Sequence, residues 1–407
     1  MAKSVEPMET PGVIGMITLI FGIMAEVMSR DPFWRWFSYA AVGMIAYHFA
    51  PDPRWKIKTL FKSLKLYFQD DDKDWFPRIF DEHVLENGKE YVMTLPPGIC
   101  SEDFKKNEQR LSEGLGAHVE TRYENGTIRM KILENKLMSK YDYEVIETKN
   151  PVEIPIGYGY EGLHTLTFSD QVSALLVGGY PGSGKSVFLR QAIVNLILTK
   201  SPSDLQLYLV DLKNGVEFEM FKRVEHVAGF AKNESEAMKL FKYLEYLTEE
   251  RYKKLSKANV VNVTEYNKKG KMDYHLVIID EYANLRESKE IQAKVDKLLR
   301  VCRAVGIYFI VCTQRPSAET VPGLIKANTQ SVLAFAVKNQ VNSRILLDND
   351  KAADIEIPGR AIYQQGSKDK EVQVMFLPDI KARRLIVPYC RKKISEEKNN
   401  RGVERVD

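Results

Sequence analysis

Gly179 and Gly184 enclose Tyr180, Pro181, Gly182 and Ser183, and Lys185, Ser186 and Val187 follow. This is the spacing G-x-x-x-x-G-K-[ST]; an apolar strand pattern at 174–177 precedes it, and an apolar helix pattern at 187–198 follows. Glycines at 179, 182 and 184 let the backbone turn tightly with its N–H groups pointing inward, where they and the helix N-terminus cradle phosphate oxygens. Lys185 then reaches the outer phosphates and Ser186 ligates Mg²⁺, so ATP and Mg²⁺ are the expected cofactors. A second pattern, Leu276-Val277-Ile278-Ile279-Asp280-Glu281, delivers two carboxylates from the end of an apolar strand. Asp280 suits the Mg²⁺ shell and Glu281 suits polarising the attacking water, because phosphoryl transfer needs a charge clamp and a positioned nucleophile. Gln314 closes another apolar run and could sense the γ-phosphate, or could satisfy strand-end backbone. An arginine supplied by a neighbouring subunit often completes such a site; Arg300, Arg303, Arg315 and Arg344 are the candidates, and spacing does not choose among them.

These residues need strands to carry them. Apolar runs at 174–177, 205–210, 275–279 and 307–312 alternate with helical patterns, the longest at 234–255, which predicts a mainly parallel sheet with crossover helices. In such sheets ligands bind beyond the carboxyl ends of the strands, where Asp211, Asp280, Glu281 and Gln314 all fall. Upstream, residues 75–150 read as a small α+β unit. It comprises a strand at 91–95, a Pro-Pro-Gly turn, a helix at 101–115 capped by Ser101, and a hairpin of 117–123 with 127–133. The carboxylates of that helix are spaced as a solvated face.

Residues 12–28 and 33–50 are nearly all apolar and are joined by four residues, which predicts a transmembrane helical hairpin in residues 1–52. A cleaved signal peptide would need a basic start and a small-residue cleavage site, and neither is present. Arg54, Lys56, Lys58, Lys62 and Lys65 follow at once and keep that flank in the cytoplasm. Both termini and the rest of the chain would then be cytoplasmic, beneath a cell membrane crossed twice. The basic stretch, 53–74, could lie on an anionic leaflet or continue the second helix, with an acidic linker at 70–74. The formal charge of +4 over 407 residues is too small to establish a nucleic-acid partner. The four cysteines and six histidines form no metal-ligand spacing, and His118, His226 and His275 read as structural.

The run 303–317, the segment 323–328, and Asn342 to Asp348 followed by Pro358, Gly359 and Arg360 resemble the FtsK/SpoIIIE DNA translocases, within the FtsK/HerA class of RecA-like motors. The small α+β unit also resembles the module that precedes their motor. The resemblance implies a homohexameric ring that threads DNA using ATP, with Lys185 and Ser186 as nucleotide clamp and Asp280 and Glu281 as acidic pair. It further implies Gln314 as sensor, Arg303 as trans-acting finger, and Lys326 and Arg344 as DNA contacts. The expected organisation is a RecA-like motor at 151–380 and a charged tail at 381–407. The short linker and the short charged stretch after Leu377 lead us to expect no built-in DNA reader, so the chain looks most like the coupling proteins of conjugative elements in Gram-positive bacteria. That likeness implies a relaxase and secretion-channel proteins as partners. A double-stranded DNA segregation or plasmid-transfer translocase, or a secretion-system ATPase that does not act on DNA, remain alternatives.

Overall fold

The computed structural model describes residues 53–391, apart from 71–72, 213–216, 286–287, 318, 322 and 367. The expected transmembrane hairpin lies outside the described residues, and among these no helix is long and apolar enough to cross a membrane. The chain divides between Glu134 and Asn135 into two compact units.

In the first unit a four-stranded antiparallel sheet runs in the order Arg78–Leu85, Gly88–Thr94, Thr127–Leu133, His118–Glu124. Helix Ser101–Leu115 packs on it through Phe104 and Leu111. The cap is Cys100 rather than Ser101: its N–H donates to the Asp103 carboxylate at 2.9 Å, and that bond holds the Asp103 pKa below the usual carboxylate range. The basic stretch belongs to this unit. Helix Pro53–Ser63 buries Ile57 and Phe61 at four-residue spacing, and Phe61 meets Phe104 edge-on at 5.4 Å. Arg54 pairs with Glu82 and Lys62 with Asp74, so part of its charge is spent inside the unit. In the acidic run expected to be a linker, Asp70, Lys73 and Asp74 belong to a short hairpin of Phe68–Asp70 and Lys73–Trp75.

The second unit is built on one ten-stranded sheet. Its order is Val227–Ala231, Leu205–Val210, Tyr274–Ile279, Ile307–Thr313, Ala174–Gly178, Ser331–Phe335, Arg360–Gln365, Lys368–Gln373, Glu153–Gly159, Gly162–Thr167. The first six strands are parallel, and the last four join antiparallel. The expected mainly parallel sheet is therefore a mixed one. The antiparallel wing was hard to read because Lys368–Gln373 is half-exposed and carries four charged residues before its first buried residue.

Alternate residues of the parallel strands feed two cores. Leu175, Val177, Leu276, Ile278, Ile310 and Cys312 pack under helices Lys185–Thr199 and Asp379–Ile386. Leu176, Val277, Ile279, Phe309 and Val311 pack under Glu234–Lys257 and Lys289–Val301. Burial on both faces explains the unbroken apolar runs of these strands. Helix Asp379–Ile386 inserts Ala382 and Ile386 into the first core, so the packed structure extends past residue 380 into the stretch expected to be tail.

Candidate active site

The loop between strand Ala174–Gly178 and helix Lys185–Thr199 has Gly179 at φ 158°, Gly182 at 84° and Gly184 at 122°. A β-carbon on Gly184 would stand 2.8 Å from the Gly359 Cα, so two backbones meet there without a side chain between them. The loop is tied to its surroundings by main-chain bonds: Gly179 N–H to Thr313 O at 3.3 Å, Tyr180 N–H to Ala336 O at 3.0 Å, and Gly359 N–H to Ser183 O at 2.8 Å. Lys185 opens the helix and is buried, while Ser186 and Val187 are half-buried on the first turn. The Ser183 hydroxyl is buried inside the loop without a hydrogen-bond partner, on the side of Gly179.

Asp280 and Glu281 lie directly beyond strand Tyr274–Ile279, both buried. Strand Ile307–Thr313 runs between this strand and Ala174–Gly178, with Gly178 opposite Thr313 and Ile279 opposite Val311. The lysine loop and the acidic pair therefore stand two strand spacings apart, roughly 10 Å, which is room for phosphates and a cation. Gln314 fills the intervening position: its N–H donates to Glu281 Oε2 at 2.9 Å, and its side chain is half-buried. The structure thus brings Lys185, Ser186, Asp280, Glu281 and Gln314 to one edge of the sheet. Asp211 ends the next strand, fully buried, and accepts the Glu217 N–H at 2.8 Å.

The donor set suits Mg²⁺ arriving with a nucleotide. Among the described residues no group of three His, Cys, Asp or Glu side chains could hold a metal by itself, whereas Mg²⁺ takes one or two protein oxygens plus phosphate and water. Ser186 and Asp280 would supply those oxygens, and the ion would neutralise charge on the transferring phosphoryl group.

Arg303 is not part of this edge. It begins the single turn Arg303–Val305 before strand Ile307–Thr313, at the opposite end of the sheet, and is exposed. Seven strand residues put it roughly 20 Å from the acidic pair. Lys326 and Arg344 come together, with the Lys326 ammonium 3.5 Å from the Arg344 carbonyl. Both are already paired: Lys326 with Asp348 at 2.7 Å, and Arg344 with both oxygens of Asp350 at 2.6 and 2.7 Å.

Two contributors carried no signal in the sequence. Gln191 and Asn195 sit on the loop's helix at helical spacing among apolar neighbours, fully buried. Gln191 donates to the Pro155 and Ile156 carbonyls, and Asn195 holds both the N–H and the C=O of Ile146. Arg360 carried a signal, its place after Pro358 and Gly359, but no role.

Residues 144–275 match the model of the FtsK/SpoIIIE family. The DNA translocase FtsK of Tropheryma whipplei is 32% identical over 241 residues, which cover 55% of this chain and 32% of that protein. The DNA translocase SpoIIIE of Bacillus subtilis is 29% identical over 273 residues, covering 63% of this chain and 34% of that one. The chain thus spans about a third of the length of the curated relatives it matches. Among solved structures, the pCW3 conjugation coupling protein TcpA, in its monomer form with ATPγS, aligns over 82% of this chain and 98% of that one. The identity there is 25% and the TM-score 0.58. The type VII secretion ATPase EccC of Thermomonospora curvata shares the fold at 21% identity and a TM-score of 0.53, over 58% of this chain and 31% of that one. The span that matches the FtsK/SpoIIIE family model contains the glycine loop with Lys185 and Ser186, and the chain is similar to these translocases and ATPases over that region.

Proposed function

We propose that this chain is a membrane-anchored, ATP-driven DNA translocase that acts as a conjugative coupling protein, delivering DNA to a secretion channel. The observation that carries the reading is the meeting of Lys185, the Asp280–Glu281 pair and the Gln314 amide at three neighbouring strand ends. Lys185 and the loop amides hold the phosphates, Ser186 and Asp280 hold Mg²⁺, and Glu281 polarises the attacking water. Arg303, exposed and far from its own chain's site, serves the site of the next subunit in a homohexameric ring. Lys326 and Arg344 contact DNA phosphates, which suits movement along any sequence. The near-complete coverage of the coupling protein TcpA supports the conjugative role, and that role brings a relaxase and channel proteins as partners.

A second reading, a double-stranded DNA translocase, is favoured by the curated relatives named DNA translocase FtsK and SpoIIIE. One experiment separates the two: ATP turnover by the full-length chain without DNA, with single strands and with duplex, against Lys185→Ala as the blank. Stimulation by single strands is the expected result. Stimulation by duplex alone transfers the assignment to the second reading, and a flat response to both sinks the DNA motor.

A further inference from the structure

Arg360 is buried, and its planar fork points in three directions. Nε donates to Gln373 Oε1 at 2.9 Å, one terminal nitrogen to Glu371 at 2.7 Å, and the other to the carbonyls of Leu137 and Met138 at 3.2 and 3.0 Å. Gln373 in turn donates to the Pro358 carbonyl at 3.0 Å, and Gly359 accepts the Val374 N–H at 2.9 Å. The turn so fixed presents the Gly359 N–H to the Ser183 carbonyl of the glycine loop. Gly359 has φ 79°, and a β-carbon there would stand 2.7 Å from the Gln373 amide, so the turn has no slack on that side either.

The far end of this network is the stretch by which the chain enters the motor. Leu137 and Met138 are held by Arg360; eight residues on, Ile146 is held at its N–H and C=O by Asn195 of the loop's own helix, at 2.8 and 3.0 Å. Between them Tyr141–Asp142 pairs with Met375–Phe376, and Lys381 donates to the Tyr143 carbonyl. Residues 137–146 are thus tethered at one end through the loop and at the other through the helix that follows it.

We propose that Arg360 is a positioning residue that couples the glycine loop to residues 137–146, so that nucleotide in the loop tightens the segment through which the chain enters the motor. This rests on the reading of the loop as a nucleotide site. A displacement of the Ser183 carbonyl passes to Gly359 across a contact with no side chain to absorb it, and then to a guanidinium whose donors are fixed relative to one another. Lysine carries the charge but not the fork.

The test uses the full-length chain, ATPγS as probe, and two variants, Arg360→Lys and Glu371→Gln. In the wild-type chain ATPγS slows amide exchange across 137–146. Arg360→Lys weakens ATPγS binding about tenfold, the scale of a lost hydrogen bond to a charged group, and abolishes that slowing while amides of the loop's helix stay protected. Glu371→Gln moves both readouts in the same direction by less. Wild-type affinity and wild-type slowing in Arg360→Lys overturn the proposal, whether or not its melting temperature falls, because a merely structural arginine would shift the melt alone. Should Arg360→Lys fail to fold, Glu371→Gln decides by the same two measurements. Failure of the wild-type chain to bind ATPγS at all would instead remove the nucleotide reading, and this coupling with it.

Discussion

Glu281 accepts the Gln314 amide on one oxygen, which orients the carboxylate at the junction of two strands. Glu281→Gln keeps the shape and loses the base, so we expect ATP binding within a few-fold of wild type and turnover lower by about 10²- to 10³-fold. Equal losses in the dissociation constant and in kcat would assign Glu281 to binding. On the same strand His275 is buried, its Nε2 2.6 Å from the Arg251 guanidinium and 2.9 Å from Asp273. Burial first, and the Arg251 charge after it, lower the His275 pKa, although the Asp273 hydrogen bond opposes them. Burial likewise lowers the pKa of His226. A histidine depressed in the folded state contributes stability that is full above its unfolded pKa, about 6.5, and is lost as pH falls through the folded value. Denaturant midpoints should therefore hold steady from pH 8 to 7 and fall on the acid side. His275→Gln should flatten that limb, and an unchanged slope would show that carboxylates alone govern it.

At the scale of elements, helix Lys185–Thr199 is buried nearly all round, so its polar residues are committed to the interior. Asn195→Ala strands the Ile146 N–H and C=O, and the expected cost is about 1–3 kcal/mol in denaturant unfolding. The parallel half of the motor was legible because strands buried on both faces read as apolar runs: 205–210 and 307–312 were found almost to the residue. The antiparallel wing was not, because Glu153–Gly159 is interrupted by Pro155 and Gly157 and Lys368–Gln373 is charge-rich. Helix Asp379–Ile386 was hidden for a related reason, since only Ala382 and Ile386 among its eight residues are buried. The places of Lys185, Asp280 and Glu281 at neighbouring strand ends were legible because each follows an apolar strand run within a few residues. Asn195 acts through Ile146, 49 positions away, and Arg360 reaches back 223 positions to Leu137, and no local pattern records such contacts.

For the whole molecule the decisive prediction concerns sharing of sites. Lys185→Ala and Arg303→Ala should each be inactive alone, and a one-to-one mixture should recover roughly a quarter of wild-type turnover, the share of interfaces with both intact groups. No recovery at any ratio would remove the support for a trans-acting Arg303. Lys326→Ala and Arg344→Ala should each reduce the slope of log affinity against log salt by about 0.9 on duplex or 0.7 on single strands if each contacts a phosphate. An unchanged slope would leave the Asp348 and Asp350 pairs as the only role of these cations.

The contact between Ser183 and Gly359 also sets a schedule. The glycine loop is synthesised about 175 residues before the turn that holds its carbonyl. At about 5–20 residues per second, a ribosome needs roughly ten to thirty-five seconds to cover that distance. Through that interval the nascent loop lacks the backing on which its geometry depends.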